Sequence, residues 1–213
     1  MKSTSTRLLL CGILLIASNL RLPITSIGPV MQDIGSSWHL GSSALGLLTT
    51  LPLLAFALIS PLAPLLSQRI GLKRSLGLSL VLIIIGFTGR LLPVLPMLYV
   101  GTALLGAGIA IGNVLLPSLV QQRFPERIAL IPSLYAFTLG VPAAAGSALV
   151  IPLMQTLAWS WAQALFAFVG LTILSLLVWL PQLKAEPVTT KHAAQQTSDV
   201  TIALWKHGLA WQV

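Results

Sequence analysis

Residues 8–31 read LLLCGILLIASNLRLPITSIGPVM. The run exceeds the roughly 20 mostly apolar residues that a helix needs to cross a bilayer core. Its one charged side chain, Arg21, stands about thirteen residues in, near the midplane at about 1.5 Å of rise per residue. The basic residues Lys2 and Arg7 precede it, so a secretory signal has to be weighed. No clean small-x-small cleavage site follows, and the stretch is long enough to span; it reads as an uncleaved first helix. Cys11 makes a poor lipoprotein site because the apolar stretch before it is too short.

Outward from this run, five more apolar segments qualify as spans: 43–66, 75–93, 97–120, 128–153 and 160–181. Short polar or proline-containing turns lie at 32–42, 67–74, 94–96, 121–127 and 155–159. Residues 1–181 are therefore expected to form one six-helix transmembrane bundle, an all-α membrane protein. Residues 182–207, rich in Ala, Gln, Thr, Ser and Lys, read as a solvated linker, and 208–213 as the start of a truncated seventh helix. Composition agrees. Of 213 residues, 8% are charged and 56% hydrophobic, with mean hydropathy +0.94, too little charge to cover a water-soluble surface.

The net charge of +8 could suggest nucleic acid, but the Lys and Arg residues cluster between the apolar runs, where they set topology. Lys2, Arg7, Arg69, Lys73, Arg74, Arg123, Arg127, Lys184, Lys191 and Lys206 fall on one side and none on the other. That side is the cytoplasm by the positive-inside rule, so a multi-pass protein of the bacterial inner (plasma) membrane with a cytoplasmic N-terminus is expected. Trp38, Tyr99, Trp159 and Trp161 would then mark the outer interface, and Trp179 and Trp205 the inner one. His39, His192 and His207 have no metal-ligand spacing, and neither metal nor cofactor is expected. Gly101, Gly106, Gly108 and Gly112 would give the fourth helix a smooth strip for close packing, as Gly140, Ala144, Gly146 and Ala148 would the fifth.

Residues 17–23 (ASNLRLP) and 111–117 (IGNVLLP) share a small residue, Asn, three residues and Pro. Three-helix inverted repeats would make the first and fourth helices equivalents.

Arg21 is the sharpest functional feature. Insertion scales charge about 2.5–3.5 kcal/mol for Arg at the centre of a span, and no Asp or Glu sits in any of the six apolar cores. Asp33 is at the outer end of the first span and Glu126 in a cytoplasmic loop. A mid-membrane guanidinium reached by water is a receptor for anions or strongly polar groups, able to hold a carboxylate-like group at two points. Thr25 and Gly28 follow on its face at i+4 and i+7. The competing reading ties Arg21 to carbonyls freed by Pro23 or Pro29. Arg90 has two readings, a second anion contact or an interfacial anchor that snorkels outward. Asn113 can position a ligand or bond across to the first helix. Asn19, its counterpart in the shared pattern, and Tyr135 complete the substrate-binding candidates. Thr49 and Thr50 could line the same cavity.

Residues 64–74 (PLLSQRIGLKR) resemble the signature loop of the major facilitator superfamily, Gly-x-x-x-Asp-Arg-x-Gly-Arg-Lys. Arg69, Gly71 and Lys73 match, while Pro64, Gln68 and Leu72 replace Gly, Asp and Arg. Residues 47–61 (LLTTLPLLAFALISP), 108–117 (GIAIGNVLLP) and 209–213 (LAWQV) are similar to the cyanate/nitroimidazole permease-like (CynX/NimT-type) branch, as are Arg21 and Arg90. The resemblance spans essentially the whole chain and covers the first half of such a permease. It implies one half of a twelve-helix fold, a C-terminal six-helix half as partner, a gating loop of Gln68, Arg69, Gly71, Lys73 and Arg74, and transport of a small anion or polar compound. Gln68 in place of the aspartate would turn the gate's charge relay into a hydrogen-bonded one.

The expected function is therefore secondary transport by alternating access. The expected partners are a small-molecule or anionic substrate, the lipid bilayer and the second half, with no nucleic acid. The alternative is a non-transporting six-helix remnant or accessory protein that needs a partner half. A membrane enzyme acting on lipid would need converging acid, base or metal groups, and the spans hold no Asp, Glu or His inside their cores.

Overall fold

The computed structural model describes residues 2–123 and 130–183, with side chains from Leu8 to Arg123 and from Leu134 to Leu183. Helices α1 (Lys2–Thr25) and α2 (Met31–Trp38) flank a 3-10 turn at Gly28–Val30. Helices α3 (Ser42–Ile59) and α4 (Ala63–Ile70) flank another at Ser60–Leu62. Then come α5 (Leu72–Leu91), α6 (Leu95–Arg123), α7 (Leu130–Leu157), α8 (Trp161–Ala167) and α9 (Val169–Leu183). Together they give six candidate spans: Leu8–Trp38, Ser42–Ile70, Leu72–Leu91, Leu95–Arg123, Leu134–Leu157 and Trp161–Leu183.

Several spans outrun the sequence boundaries. Most of 32–42 is helical as α2, and the turn shrinks to His39–Gly41, with His39 left-handed at φ 51°. Most of the 67–74 loop is also helical, broken only at Gly71. There φ 93° and ψ 149° suit glycine alone, since a Cβ would clash with the backbone. Gly71 caps α4 by donating to Ser67 and opens α5 by accepting from Ser75. Helix α9 runs on to Leu183 with Gln182 buried, two residues into the expected linker. The rest of the linker, the expected seventh-helix start at 208–213, Arg127, Glu126 and Trp205 lie outside the described residues.

Helix α6 is the hub, and its glycines explain why. A Cβ on Gly101 would stand 2.6 Å from the Gly86 carbonyl oxygen, and one on Gly108 2.7 Å from that of Ser79, both on α5. On Gly106 it would meet Pro52 of α3 at 2.7 Å, and on Gly112 it would overlap the Leu20 side chain of α1. The expected strip is thus a set of notches that seat three different helices. On α7 only Gly146 plays this part, against Leu22 at 3.0 Å; Gly140, Ala144 and Ala148 are exposed.

Two of the tryptophans expected at the interfaces are packed inside the protein. Trp179 is wholly buried, its ring 2.8 Å from where a Gly12 Cβ would be and 3.7 Å from that of Gly77, and Nε1 donates to the Lys73 carbonyl at 2.9 Å. The two missing side chains make the slot that draws the indole inward. Trp161 is buried and donates to Ser37 Oγ at 3.1 Å, tying α8 to α2. Trp179→Ala should cost about 3–5 kcal/mol by opening a cavity where α1, α5 and α9 meet. Trp179→Phe should fall between it and wild type in thermal melts of the purified chain. Wild-type melting of Trp179→Ala would eliminate the wedge.

Candidate functional site

The break in the first span organises the polar groups of the bundle. Pro29 lacks an N–H and its ring clashes with the carbonyl four residues back, that of Thr25, so α1 cannot continue. The carbonyls of its last turn then need partners from elsewhere. Leu22 accepts from the Ser26 amide at 3.1 Å. Pro23 accepts from Arg90 Nη1 at 3.3 Å, and Thr25 from Ser147 Oγ at 2.9 Å. The Thr25 hydroxyl lies 3.1 Å from the Ala143 carbonyl and 3.2 Å from its own helix at Arg21, so it joins α1 to α7.

Arg21 stands one turn before this break, exposed, with no hydrogen-bond or ionic partner among the described residues. It is therefore not the arginine that answers the freed carbonyls. Gly28, in the 3-10 turn beyond the break, has nothing within 4 Å of an added Cβ. Leu20 seats in the Gly112 notch, which brings α1 and α6 together one residue before Arg21 and Asn113 respectively. Asn113 is half-buried; among the described residues its amide donates only to Ile109 of its own helix, at 3.1 Å, and its oxygen has no partner. Tyr135 is half-buried against the cluster that contains Leu20 and Leu116, and its hydroxyl has no partner among the described residues.

Asn19 is placed differently from Asn113. It is 1% exposed, and its amide donates to Leu15 and to Ser175 Oγ, both at 2.7 Å, while its oxygen accepts from Thr172 at 2.6 Å. It cross-links α1 and α9. Both asparagines make the same bond to the carbonyl four residues back, and each precedes a proline by four, yet one is spent on packing and the other is left accessible. Arg90 does not snorkel. It is 2% exposed, with Nε donating to Thr102 Oγ1 at 3.0 Å in addition to the Pro23 bond. Thr49 and Thr50 bond back to their own helix at Gly46 and Leu47.

The loop residues gather at the far end of α5 from Arg90. Gln68, Arg69 and Arg74 are exposed, and Lys73 is buried. An apolar groove of about 250 Å³ on the outside of α5 and α6, floored by Gly89 and Gly101, is separate from the Arg21 face. Thr102, Ser147, Thr172 and Ser175 do positional work that the sequence reading missed. Thr172 and Ser175, three apart in an apolar run, share one helix face; that spacing was the available signal.

Residues 9–212 match the family described as Major Facilitator Superfamily. The chain is 44% identical over 207 residues to the 2-nitroimidazole transporter of Escherichia coli, covering 96% of this chain and 51% of that protein. It is 43% identical over 205 residues to the uncharacterized transporter YycB of Bacillus subtilis, covering 96% and 50%. It is 33% identical over 172 residues to the cyanate transport protein CynX of E. coli, covering 75% and 44%. In fold it resembles the inward-open xylose transporter XylE from E. coli, with TM-score 0.66, 17% identity, and coverage of 94% of this chain and 56% of that one. The chain thus spans about half the length of the curated relatives it matches.

The two asparagines should separate by experiment. Asn19→Leu removes three buried bonds and is expected to destabilise the bundle by about 1–3 kcal/mol, read as a lower melting temperature in detergent. Asn113→Leu should melt near wild type. Equal losses in the two variants would show that Asn113 also holds the bundle.

Proposed function

Since the chain belongs to the major facilitator superfamily, we propose that it forms the first half of a secondary transporter. In this reading Arg21 receives a small anion or strongly polar solute at the membrane midplane. The single observation that carries it is the state of Arg21: an exposed guanidinium deep in an apolar span, without a partner among the described residues. Such a cation is costly to leave facing lipid, so the face that bears it fits a water-filled cavity between this half and a C-terminal six-helix half. The exposed faces of α3 and α7 are consistent with such a partner.

The names of two relatives suggest the kind of solute. Cyanate is a small anion, and a nitroimidazole presents two electron-rich nitro oxygens at the spacing of a guanidinium fork. Asn113 and Tyr135, which keep polar capacity in reserve, are proposed to line the site with Arg21. Asn19, Thr25 and Arg90, whose polar atoms are engaged between helices, support it from behind. Gln68, Arg69, Gly71, Lys73 and Arg74 are proposed as the cytoplasmic gating loop. The location is the bacterial inner membrane with the N-terminus in the cytoplasm, following the ten basic residues on one side.

The second reading, a six-helix accessory protein that does not transport, is separated by uptake. Proteoliposomes holding the chain joined to the second half of the E. coli 2-nitroimidazole transporter should take up labelled 2-nitroimidazole or cyanate. Arg21→Ala should slow uptake about 100-fold, the scale expected for losing a charge-assisted bidentate contact, with Arg21→Lys intermediate. Wild-type uptake by Arg21→Ala would remove Arg21 from the site, and no uptake of either solute would favour the accessory reading. Alkaline phosphatase fused after His39 should be active in cells, and fused after Leu183 inactive; the reverse pattern would invert the topology.

A further inference from the structure

Arg90 is a buried cation with no carboxylate partner among the described residues, and its position explains how the bundle tolerates it. Its guanidinium sits against the last turn of α1, where unpaired carbonyls and the helix dipole concentrate negative charge. Nη1 reaches the Pro23 carbonyl at 3.3 Å and Nε reaches Thr102 Oγ1 at 3.0 Å. The Thr102 hydroxyl in turn donates to the Leu98 carbonyl at 2.6 Å, so its lone pairs are turned toward Arg90. One planar fork therefore joins three spans: α5 by its own backbone, α6 by Thr102, and α1 by the carbonyl two residues beyond Arg21.

We propose that Arg90 is a positioning residue: it caps the C-terminus of α1 and thereby fixes the depth and direction of Arg21. This rests on the reading of Arg21 as the substrate receptor. It differs from a direct anion contact, because the guanidinium is 2% exposed and aimed at main chain on the inner side of α1, whereas Arg21 is exposed. It also differs from simple helix packing. A residue that only packed could be lost with a fall in stability, whereas the last turn of α1 directly follows the receptor and sets how it is held. Lysine cannot replace it, because a single ammonium has no planar fork to hold the carbonyl and the hydroxyl in fixed geometry.

Two measurements test this. The first is amide hydrogen exchange across 22–30 in the isolated chain in nanodiscs, which needs no substrate. Arg90→Gln, Arg90→Lys and Thr102→Val should each speed exchange at the end of α1 about 10-fold, the loss of one buried bond to a charged group. Thr102→Ser, which keeps the hydroxyl, should not. Unchanged exchange in the Arg90 variants would overturn the cap. The second is 2-nitroimidazole uptake by the chain joined to a second half as above. The same three variants should raise KM about 10-fold or more, as misplacement of a contact group by an ångström does, with maximal rate per folded transporter nearly unchanged and with Thr102→Ser restoring KM. Wild-type KM in Arg90→Lys, or in Thr102→Val with faster exchange, would overturn the positioning role. If Arg21→Ala transports normally, the receptor reading fails instead, and the exchange result still decides the cap.

Discussion

A helix that stops inside hydrocarbon must have its last carbonyls satisfied by protein, because no water is there to do it. The first span meets this constraint in mid-membrane. Pro29 ends α1 at Thr25, and the freed carbonyls are taken by side chains from two other spans, Arg90 of α5 and Ser147 of α7. The break and its neighbours are thus mutually dependent. Without the break, Arg90 would be an uncompensated buried charge; without Arg90 and Ser147, the break would leave bare carbonyls in lipid.

The same span is held at its other end by a different device. Toward the N-terminal end of the span, Trp179 fills the slot left by Gly12 and Gly77 and bonds the first turn of α5. Between the two attachments, Asn19 reaches α9 and Leu20 enters the Gly112 notch. Spans one, three, four and six are therefore fastened at several depths, while the second and fifth, α3 with α4 and α7, keep most of their surface uncovered. The half proposed above would need that kind of internal fastening to move as one body, and the uncovered spans are where the proposed second half would slide without unmaking it.

How much of this could be read from sequence follows from what each signal measures. Apolar length and the one-sided placement of Lys and Arg report on lipid and on insertion, so six spans were legible, as was the likeness to a transporter family, later supported by the match over 9–212. Boundaries were short because α2 and α4 continue past the apolar runs into polar residues, where helices need no hydrophobicity. Trp179 is read from a general interfacial preference, and Arg90 as either a second anion contact or an interfacial anchor. What fixes their partners is local opportunity: two glycines that make room for an indole, and a broken helix end that offers a guanidinium its acceptors. Neither opportunity is visible without knowing which helices touch. Asn19 and Asn113 looked equivalent in their shared pattern, and the neighbouring helix separates them, since α9 presents Thr172 and Ser175 to one and nothing comparable among the described residues meets the other.

The two arginines show how context assigns function to the same residue type. Each lies in an apolar span, and the sequence puts no acidic side chain in any of the six cores. Arg90 faces inward and finds a helix C-terminus, whose dipole and bare carbonyls replace a counter-ion. Arg21 lies four residues before that same C-terminus but is exposed, and the Pro23 and Thr25 carbonyls there are engaged by Arg90 and Ser147 instead. The receptor role proposed for Arg21 rests on that contrast: the bundle satisfies one guanidinium with its own backbone and leaves the other exposed, without a partner among the described residues.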